Sequence, residues 1–118
     1  MAVMRRPDGA LEDDILRVLW QADEPLLPAE ILERSGLSLA YTSVATVLTR
    51  LVEKGIVERQ PAGRAFRYRA ALSERQLAGQ RIEAILTHAN DREGALAGFV
   101  DKLSKRDTAL LRKLLKNQ

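Results

Sequence analysis

The stretch YTSVATVLTRLVEKG, residues 41–55, constrains the fold of this chain more than any other. Its aliphatic side chains recur at i, i+3, i+4 and i+7, as Val44, Val47, Leu48 and Leu51. At about 100° per residue these positions share one side of a helix, which predicts an amphipathic helix with this side buried in a core. The opposite side carries short hydroxyls and one arginine: Thr42, Ser43, Thr46, Thr49 and Arg50.

The hydroxyl-bearing side has two interpretations. A helix face in water normally carries lysine and glutamate, whereas the only acid here, Glu53, comes in the last turn. Short polar side chains let a helix backbone approach another surface closely. Hydroxyls and threonine methyls also suit the base edges and phosphates of a DNA major groove. A polar face that simply contacts water fits this segment equally well on its own.

The distribution of charge favours nucleic acid as a partner. The net charge of +3 is modest, but residues 8–33 contain eight acids and one base, whereas residues 34–72 contain seven bases and two acids. The sign changes close to where the predicted helix begins. This segregation predicts a basic face of the kind that nucleic-acid-binding domains use, because a solvated mixture of charges would intersperse the two signs.

The residues before the predicted helix complete a helix-turn-helix pattern. An apolar stripe at i, i+4, i+7 and i+8, formed by Leu11, Ile15, Val18 and Leu19, predicts a first helix over residues 10–21. Leu26–Leu27 is an expected short strand. Pro28 suits the first turn of a short second helix, residues 29–35, and Gly36 suits its end. A short helix, a tight turn and a longer helix with a hydroxyl-rich side are typical of helix-turn-helix units.

A β-hairpin is predicted directly after this unit. Residues 65–70 alternate apolar and basic side chains, and the segment from Pro61 to Arg64 has turn chemistry. Residues 56–61 and 65–70 are therefore expected to pair. The hairpin places Arg64 at its tip, where contact with DNA is the favoured interpretation. For Arg67 and Arg69, contact with DNA and exposure on an edge strand are both open.

Three short helices with apolar sides are predicted after Ser73, which opens a capping box with Gln76. Alone they bury too little surface to stay folded, so a dimer is expected, with packing against the first domain as the alternative. The predicted domains are a winged-helix DNA-binding domain, residues 1–72, and a helical dimerisation segment, residues 73–118. The residues assigned to the dimer contact are Ile82, Ile85, Leu86, Leu96, Phe99, Val100, Leu103, Leu110, Leu111 and Leu114.

No catalytic residue, metal site or cofactor is expected. The chain has no cysteine, and its single histidine, His88, lies near a predicted helix end. Asp13 and Asp14 are adjacent, so they diverge by about 100° on a helix and cannot act as a close pair. No apolar run approaches the roughly 20 residues of a membrane span, and the N-terminal residues lack the apolar region of a signal peptide. A cytoplasmic protein that is not an enzyme is therefore expected.

Three segments together resemble the BlaI/MecI/CopY family of penicillinase-type repressors. They are LEDDILRVLWQADEPLLPAEI, AYTSVATVLTRLVEKGIVERQPAGRAFRYRA and ALAGFVDKLSKRDTALLRKLL. The resemblance implies a mainly α fold with a small β-hairpin, in which a winged helix-turn-helix domain forms homodimers on palindromic (inverted-repeat) DNA operators. It also implies that Arg64 is the wing contact. The residues implied to read bases or position phosphates are Thr42, Ser43, Thr46 and Arg50. The full set assigned to DNA contact is Thr42, Ser43, Thr46, Thr49, Arg50, Arg64 and Arg67.

The resemblance also implies how such a repressor is released. In beta-lactam-responsive members, a membrane sensor protease triggers cleavage inside the C-terminal segment, which by resemblance is near Gly98–Phe99 here. The best-known members have asparagine before this phenylalanine, and glycine replaces it in this chain. The copper-responsive branch carries a C-terminal cysteine cluster, which this chain lacks.

The resulting hypothesis is a dimeric, operator-binding repressor of transcription, of the kind that controls antibiotic resistance. The alternative is a winged-helix protein-interaction module that binds no operator.

Overall fold

The computed structural model describes residues 8–118, which form six helices and one two-stranded antiparallel sheet. In chain order the elements are α1 (Asp8–Gln21), α2 (Pro28–Ser35), α3 (Tyr41–Glu53), β1 (Val57–Ala62), β2 (Ala65–Ala70), α4 (Glu74–His88), α5 (Arg92–Lys102) and α6 (Lys105–Lys116). The predicted mainly α fold with a small β-hairpin is confirmed. None of the helices in this part of the chain is both long and apolar enough to cross a bilayer.

The chain forms two compact units, one that ends at Leu77 and one that begins at Ala78. The first contains α1, α2, α3, the hairpin and the start of α4. The second contains the rest of α4 together with α5 and α6. The functional division into a DNA-binding domain, 1–72, and a dimerisation segment, 73–118, stays a prediction.

The core of the first unit is built around α3. All four aliphatic residues of its predicted inner side are buried, with Leu48 and Leu51 completely inaccessible to solvent, so the predicted amphipathic helix is confirmed. The other buried apolar residues of this core are Ile15, Leu16, Leu19, Leu26, Ile31, Ile56, Val57, Tyr68 and Leu77.

The first helix is longer and more deeply buried than its sequence pattern predicts. α1 begins at Asp8, two residues before the predicted start. Leu16 is fully buried, although it falls outside the predicted apolar stripe. α1 packs against α2, α3 and β2, so it buries a wider side than a helix with a single neighbour.

Two side-chain contacts fasten α1 to the rest of the first unit. Trp20 Nε1 donates a hydrogen bond to the carbonyl oxygen of Leu72 at 2.9 Å. Lys54 Nζ, directly after α3, donates to both carboxylate oxygens of Glu12, at 2.9 and 3.2 Å. The Glu12 side chain is only 12% exposed, so this pairing offsets part of the cost of burying its charge. The first contact joins α1 to the segment after the hairpin, and the second joins α1 to the end of α3.

The hairpin turn is shorter than predicted. Ala62 lies opposite Ala65 in the strand register, so β1 extends one residue beyond the predicted strand, and it begins at Val57, one residue later than predicted. Pro61 is tolerated within this strand because β1 is an edge strand. Only Gly63 and Arg64 form the turn. Gly63 has a φ of 64°, which the first central position of a type II′ turn requires, and Arg64 has no positive φ.

A third extended segment joins the hairpin to the helix-turn-helix. The backbone N–H of Leu26 donates to the carbonyl of Tyr68 at 2.9 Å, and the N–H of Tyr68 donates to the carbonyl of Leu26 at 2.7 Å. Of the expected short strand, only Leu26 pairs, because Leu27 already serves as the N-cap of α2. At the other end of α2, Gly36 adopts a φ of 67°, as predicted for the glycine that ends this helix.

The second unit has no buried core of its own. The side chains of Asp91 and Ser104 cap α5 and α6 by accepting hydrogen bonds from the N–H groups of Gly94 and Asp107, at 2.9 and 3.0 Å. Neither α5 nor α6 contains a buried residue. These well-capped helices therefore present an exposed apolar surface.

Candidate nucleic-acid interface

The polar side of α3 forms one continuous surface. A shallow groove of about 270 Å³ runs along it, lined by Leu11, Thr42, Ser43, Thr46, Val47 and Arg50. The structure therefore brings together four of the residues predicted to contact DNA. Thr49 is exposed on the same helix, three residues beyond Thr46. Leu11 of α1 and Val47 of α3 supply the apolar part of the groove.

No side chain among residues 8–118 caps the N-terminus of α3. Its N-cap residue, Ala40, makes no side-chain hydrogen bond, and the first turn contains no acid. The first N–H groups of a helix have no partner within the helix and carry a partial positive charge. This end of α3 therefore favours an anion such as a phosphate group.

The hydroxyl groups of α3 differ in whether they already donate a hydrogen bond within the helix. Thr46 Oγ1 donates to the carbonyl of Thr42 at 2.8 Å, and Thr49 Oγ1 donates to the carbonyl of Ala45 at 3.0 Å. Thr42 and Ser43 make no side-chain hydrogen bond to any described residue. Their hydroxyl groups are therefore able to donate to an external acceptor.

Only some of the basic residues predicted around this surface are available to a ligand. Arg50 and Arg64 are exposed, and their side chains have no ion-pair or hydrogen-bond partner within residues 8–118. Arg64 lies in the two-residue hairpin turn, as predicted. A cation without a protein partner keeps its full capacity to neutralise a phosphate.

The other hairpin arginines make contacts within the protein. Arg67 Nη1 donates to Glu30 Oε1 at 3.0 Å, and Arg69 pairs with Glu58 at 2.9 Å. The guanidinium carbon of Arg59 lies 4.5 Å from the centre of the Phe66 ring. The predicted DNA contact of Arg67 stays a prediction, and in the free protein the guanidinium group is held by α2.

Glu30 links the start of α2 to the hairpin. Its Oε1 accepts a hydrogen bond from the N–H of Leu27 at 2.8 Å and also receives Arg67. The Leu27 N–H, followed by the positive charge of Arg67, lowers the pKa of the Glu30 carboxyl from its ordinary value. The carboxylate therefore stays charged at neutral pH and holds both partners.

The residues predicted to form a dimer contact are on the surface of the second unit. Leu86, Leu103 and Leu111 are partly buried, and the other members of the set are exposed. The exposed members are Ile82, Ile85, Leu96, Phe99, Val100, Leu110 and Leu114, with exposures from 42% to 70%. Leu115, which the predicted set omits, is 66% exposed beside them in sequence.

The predicted cleavage residues, Gly98 and Phe99, lie inside α5, and Phe99 is 50% exposed. No group of three or more histidine, cysteine, aspartate or glutamate side chains between residues 8 and 118 is arranged to hold a metal ion.

Comparison with known proteins finds similarity to regulators of transcription. Residues 9–117 match the family model described as penicillinase repressor. The chain is 34% identical over 113 residues to the transcriptional regulator BlaI of Mycobacterium tuberculosis, in strains CDC 1551 / Oshkosh and ATCC 25618 / H37Rv, covering 91% of this chain and 81% of that protein. The structure of the Helicobacter pylori ferric uptake regulator Fur shares the fold, with a TM-score of 0.50 and 14% identity over 71% of this chain and 73% of that chain.

Proposed function

The chain belongs to the penicillinase repressor family, and from this premise we propose that it is a homodimeric repressor that occupies an inverted-repeat DNA operator. The observation that carries this proposal is the groove along α3, where Thr42, Ser43, Thr46 and Arg50 converge. A helix of this size and polarity fits the major groove, where side chains reach base edges.

Electrostatics support double-stranded DNA as the ligand. The uncapped N-terminus of α3 favours a phosphate, and Arg50 and Arg64 have no partner among the described residues. These groups lie on two consecutive elements, the helix and the hairpin that follows it. In this arrangement α3 enters the major groove while the hairpin turn contacts the backbone of the same duplex.

The exposed apolar residues of the second unit support a homodimer. A stable monomer rarely exposes this many large apolar side chains on a few short helices. A second copy of the chain would cover the same residues on each partner, as the two-fold symmetry of a dimer requires. Two linked recognition helices would then read half-sites centred about 10 base pairs, or a multiple of this, apart. A cytoplasmic location follows from this function.

Salt dependence separates this function from the alternative, a protein-interaction module. A repressor that neutralises phosphates releases counterions, so the logarithm of its binding constant falls linearly with the logarithm of salt concentration. The test is to select operator duplexes from a random library with the full-length protein and to measure affinity at several salt concentrations. A protein that enriches no sequence would favour the interaction module.

Replacing Arg64 with alanine is expected to weaken binding to operator and to non-specific DNA to a similar degree. Each protomer would lose one phosphate contact, so the salt slope should flatten by about one unit per protomer. Arg69→Ala is the matched control, because Arg69 already pairs with Glu58. Fluorescence anisotropy over a salt series measures both slopes. A change in base preference alone would instead indicate reading of the minor groove by Arg64.

Release from the operator is proposed to follow cleavage near Gly98–Phe99, triggered by a membrane sensor protease in cells exposed to a beta-lactam. A cut there would detach α6 from the rest of the dimer contact while leaving α3 intact. Mass spectrometry of the protein from treated cells should then detect a fragment that ends at Gly98. An intact chain in cells with induced target genes would rule out cleavage.

A matched pair of glycines tests whether local opening of α5 limits this cleavage. Gly98→Ala should stabilise the helix by up to about 1 kcal/mol and slow the cut. Gly79→Ala in α4 should leave the rate unchanged. A Cβ at either position meets no atom within 4 Å, so neither substitution introduces a clash within the protomer.

A further inference from the structure

Two threonines on the polar side of α3 have no hydrogen-bond donor left for a ligand. The hydroxyl groups of Thr46 and Thr49 donate to the carbonyls of Thr42 and Ala45, four residues earlier, at 2.8 and 3.0 Å. A hydroxyl carries a single hydrogen, so both hydrogens are used within the helix. Because both side chains are exposed, they offer a ligand a methyl group and an acceptor oxygen.

The hydroxyl groups in the first turn of the same helix are still able to donate hydrogen bonds. Thr42 and Ser43 make no side-chain hydrogen bond within residues 8–118, so each retains a hydroxyl hydrogen. Ser43 also has no methyl group. On the polar side of α3, the hydroxyl groups of the first turn can thus donate hydrogen bonds, whereas those of Thr46 and Thr49 cannot.

This division decides what Thr46 and Thr49 can recognise in a major groove. Most groups on the base edges there are acceptors, namely the purine N7 atoms, guanine O6 and thymine O4. A hydroxyl with no free donor cannot bond to any of them, and it can only accept a hydrogen bond from the adenine N6 or cytosine N4 amino group. Thymine alone also presents a methyl group, and apolar side-chain groups contact it directly.

We infer, on the basis of the operator binding proposed above, that Thr46 and Thr49 determine specificity by packing their methyl groups against the 5-methyl groups of thymines. The two residues are three positions apart, which is about 4.5 Å along a helix axis. Base pairs are spaced about 3.4 Å apart. The two methyl groups therefore meet thymines at neighbouring base pairs of one half-site, while Thr42 and Ser43 donate to phosphates or base acceptors beside them.

Deoxyuridine provides a direct probe, because its base differs from thymine only by the missing methyl group. An operator selected from a random library by the full-length protein is resynthesised with each thymidine replaced in turn by deoxyuridine. Affinity is expected to fall about fourfold for each methyl contact removed, at neighbouring positions of a half-site. Replacement at other thymines should leave affinity unchanged.

Two substitutions at Thr46 separate the methyl from the hydroxyl. Thr46→Ser keeps the hydroxyl and removes the methyl, so it should lower affinity about fourfold per half-site and abolish the sensitivity to deoxyuridine at one position. Thr46→Val keeps the shape and the methyl but removes the hydroxyl, so it should retain both affinity and sensitivity. Because Thr46 is exposed, thermal melting should be similar for both variants and the native protein.

The outcomes distinguish this inference from the proposed function. A selected operator that binds specifically but ignores every deoxyuridine replacement would overturn the methyl contact alone. Loss of affinity in Thr46→Val as large as in Thr46→Ser would assign recognition to the hydroxyl and overturn it as well. A library from which no sequence is enriched would overturn the operator binding on which the inference rests.

Discussion

Replacing Thr46 with glutamate is expected to abolish specific operator binding while the protein stays folded. Thr46 lines the groove on α3 and is exposed, so a longer side chain meets no core atoms there. A carboxylate at this position would face phosphates and base acceptors in each half-site. Like-charge contacts of this kind cost several kcal/mol, so a dimer should lose at least about 100-fold in affinity.

Thr46→Gln is the matched control, because glutamine has the size of glutamate without its charge. Anisotropy titration of both variants against the selected operator measures the effect. Circular dichroism and thermal melting should show an unfolding free energy within about 0.5 kcal/mol of the native protein. Unchanged operator affinity in Thr46→Glu would show that another surface reads the DNA.

Leu114→Glu is expected to convert the protein into a monomer and to remove most of its operator affinity. Leu114 is 55% exposed on α6, within the apolar surface proposed to meet a second copy. In a symmetric dimer this change would bury two unpaired carboxylates, one from each protomer. Once dissociated, the two recognition helices bind independently, and the loss of linked binding should reduce affinity by about 100-fold or more.

Lys113→Gln is the control for Leu114→Glu, because it changes a polar neighbour on the same helix. Sedimentation equilibrium measures the mass of each variant, and titration with the operator measures its affinity. The lysine variant should remain a dimer. If Leu114→Glu also sediments as a dimer with native affinity, the dimer contact lies outside this surface.

The features that could be predicted from the sequence are those that depend on a single helix or strand. The side of α3 that enters the core follows from helical periodicity, and all four predicted residues are buried. Part of the groove could also be predicted from the sequence, because residues at i and i+4 on one helix are neighbours in any fold. Thr42, Thr46 and Arg50 are spaced in this way, and all three line the groove.

Contacts between distant segments were not predictable. The sequence places Glu30 and Arg67 in different elements, and the pairing of Leu26 with Tyr68 brings those elements together. The cross-strand pair of Glu58 and Arg69 depends on the hairpin register. That register depends on the length of the hairpin turn, which has two residues although the sequence pattern predicted a turn of four. The availability of each arginine to DNA was therefore decided by tertiary structure.

The link between the hairpin and α2 has a consequence for the choice of DNA site. Two backbone hydrogen bonds between Leu26 and Tyr68, and the shared carboxylate of Glu30, join the wing to the helix-turn-helix before any ligand arrives. The distance between Arg64 in the hairpin turn and the α3 groove is therefore fixed in the free protein. A duplex whose grooves do not match this distance must bend or change its groove width, and the energy required depends on its base sequence. Base pairs that no side chain touches, between the wing and α3, should therefore influence affinity through their stiffness.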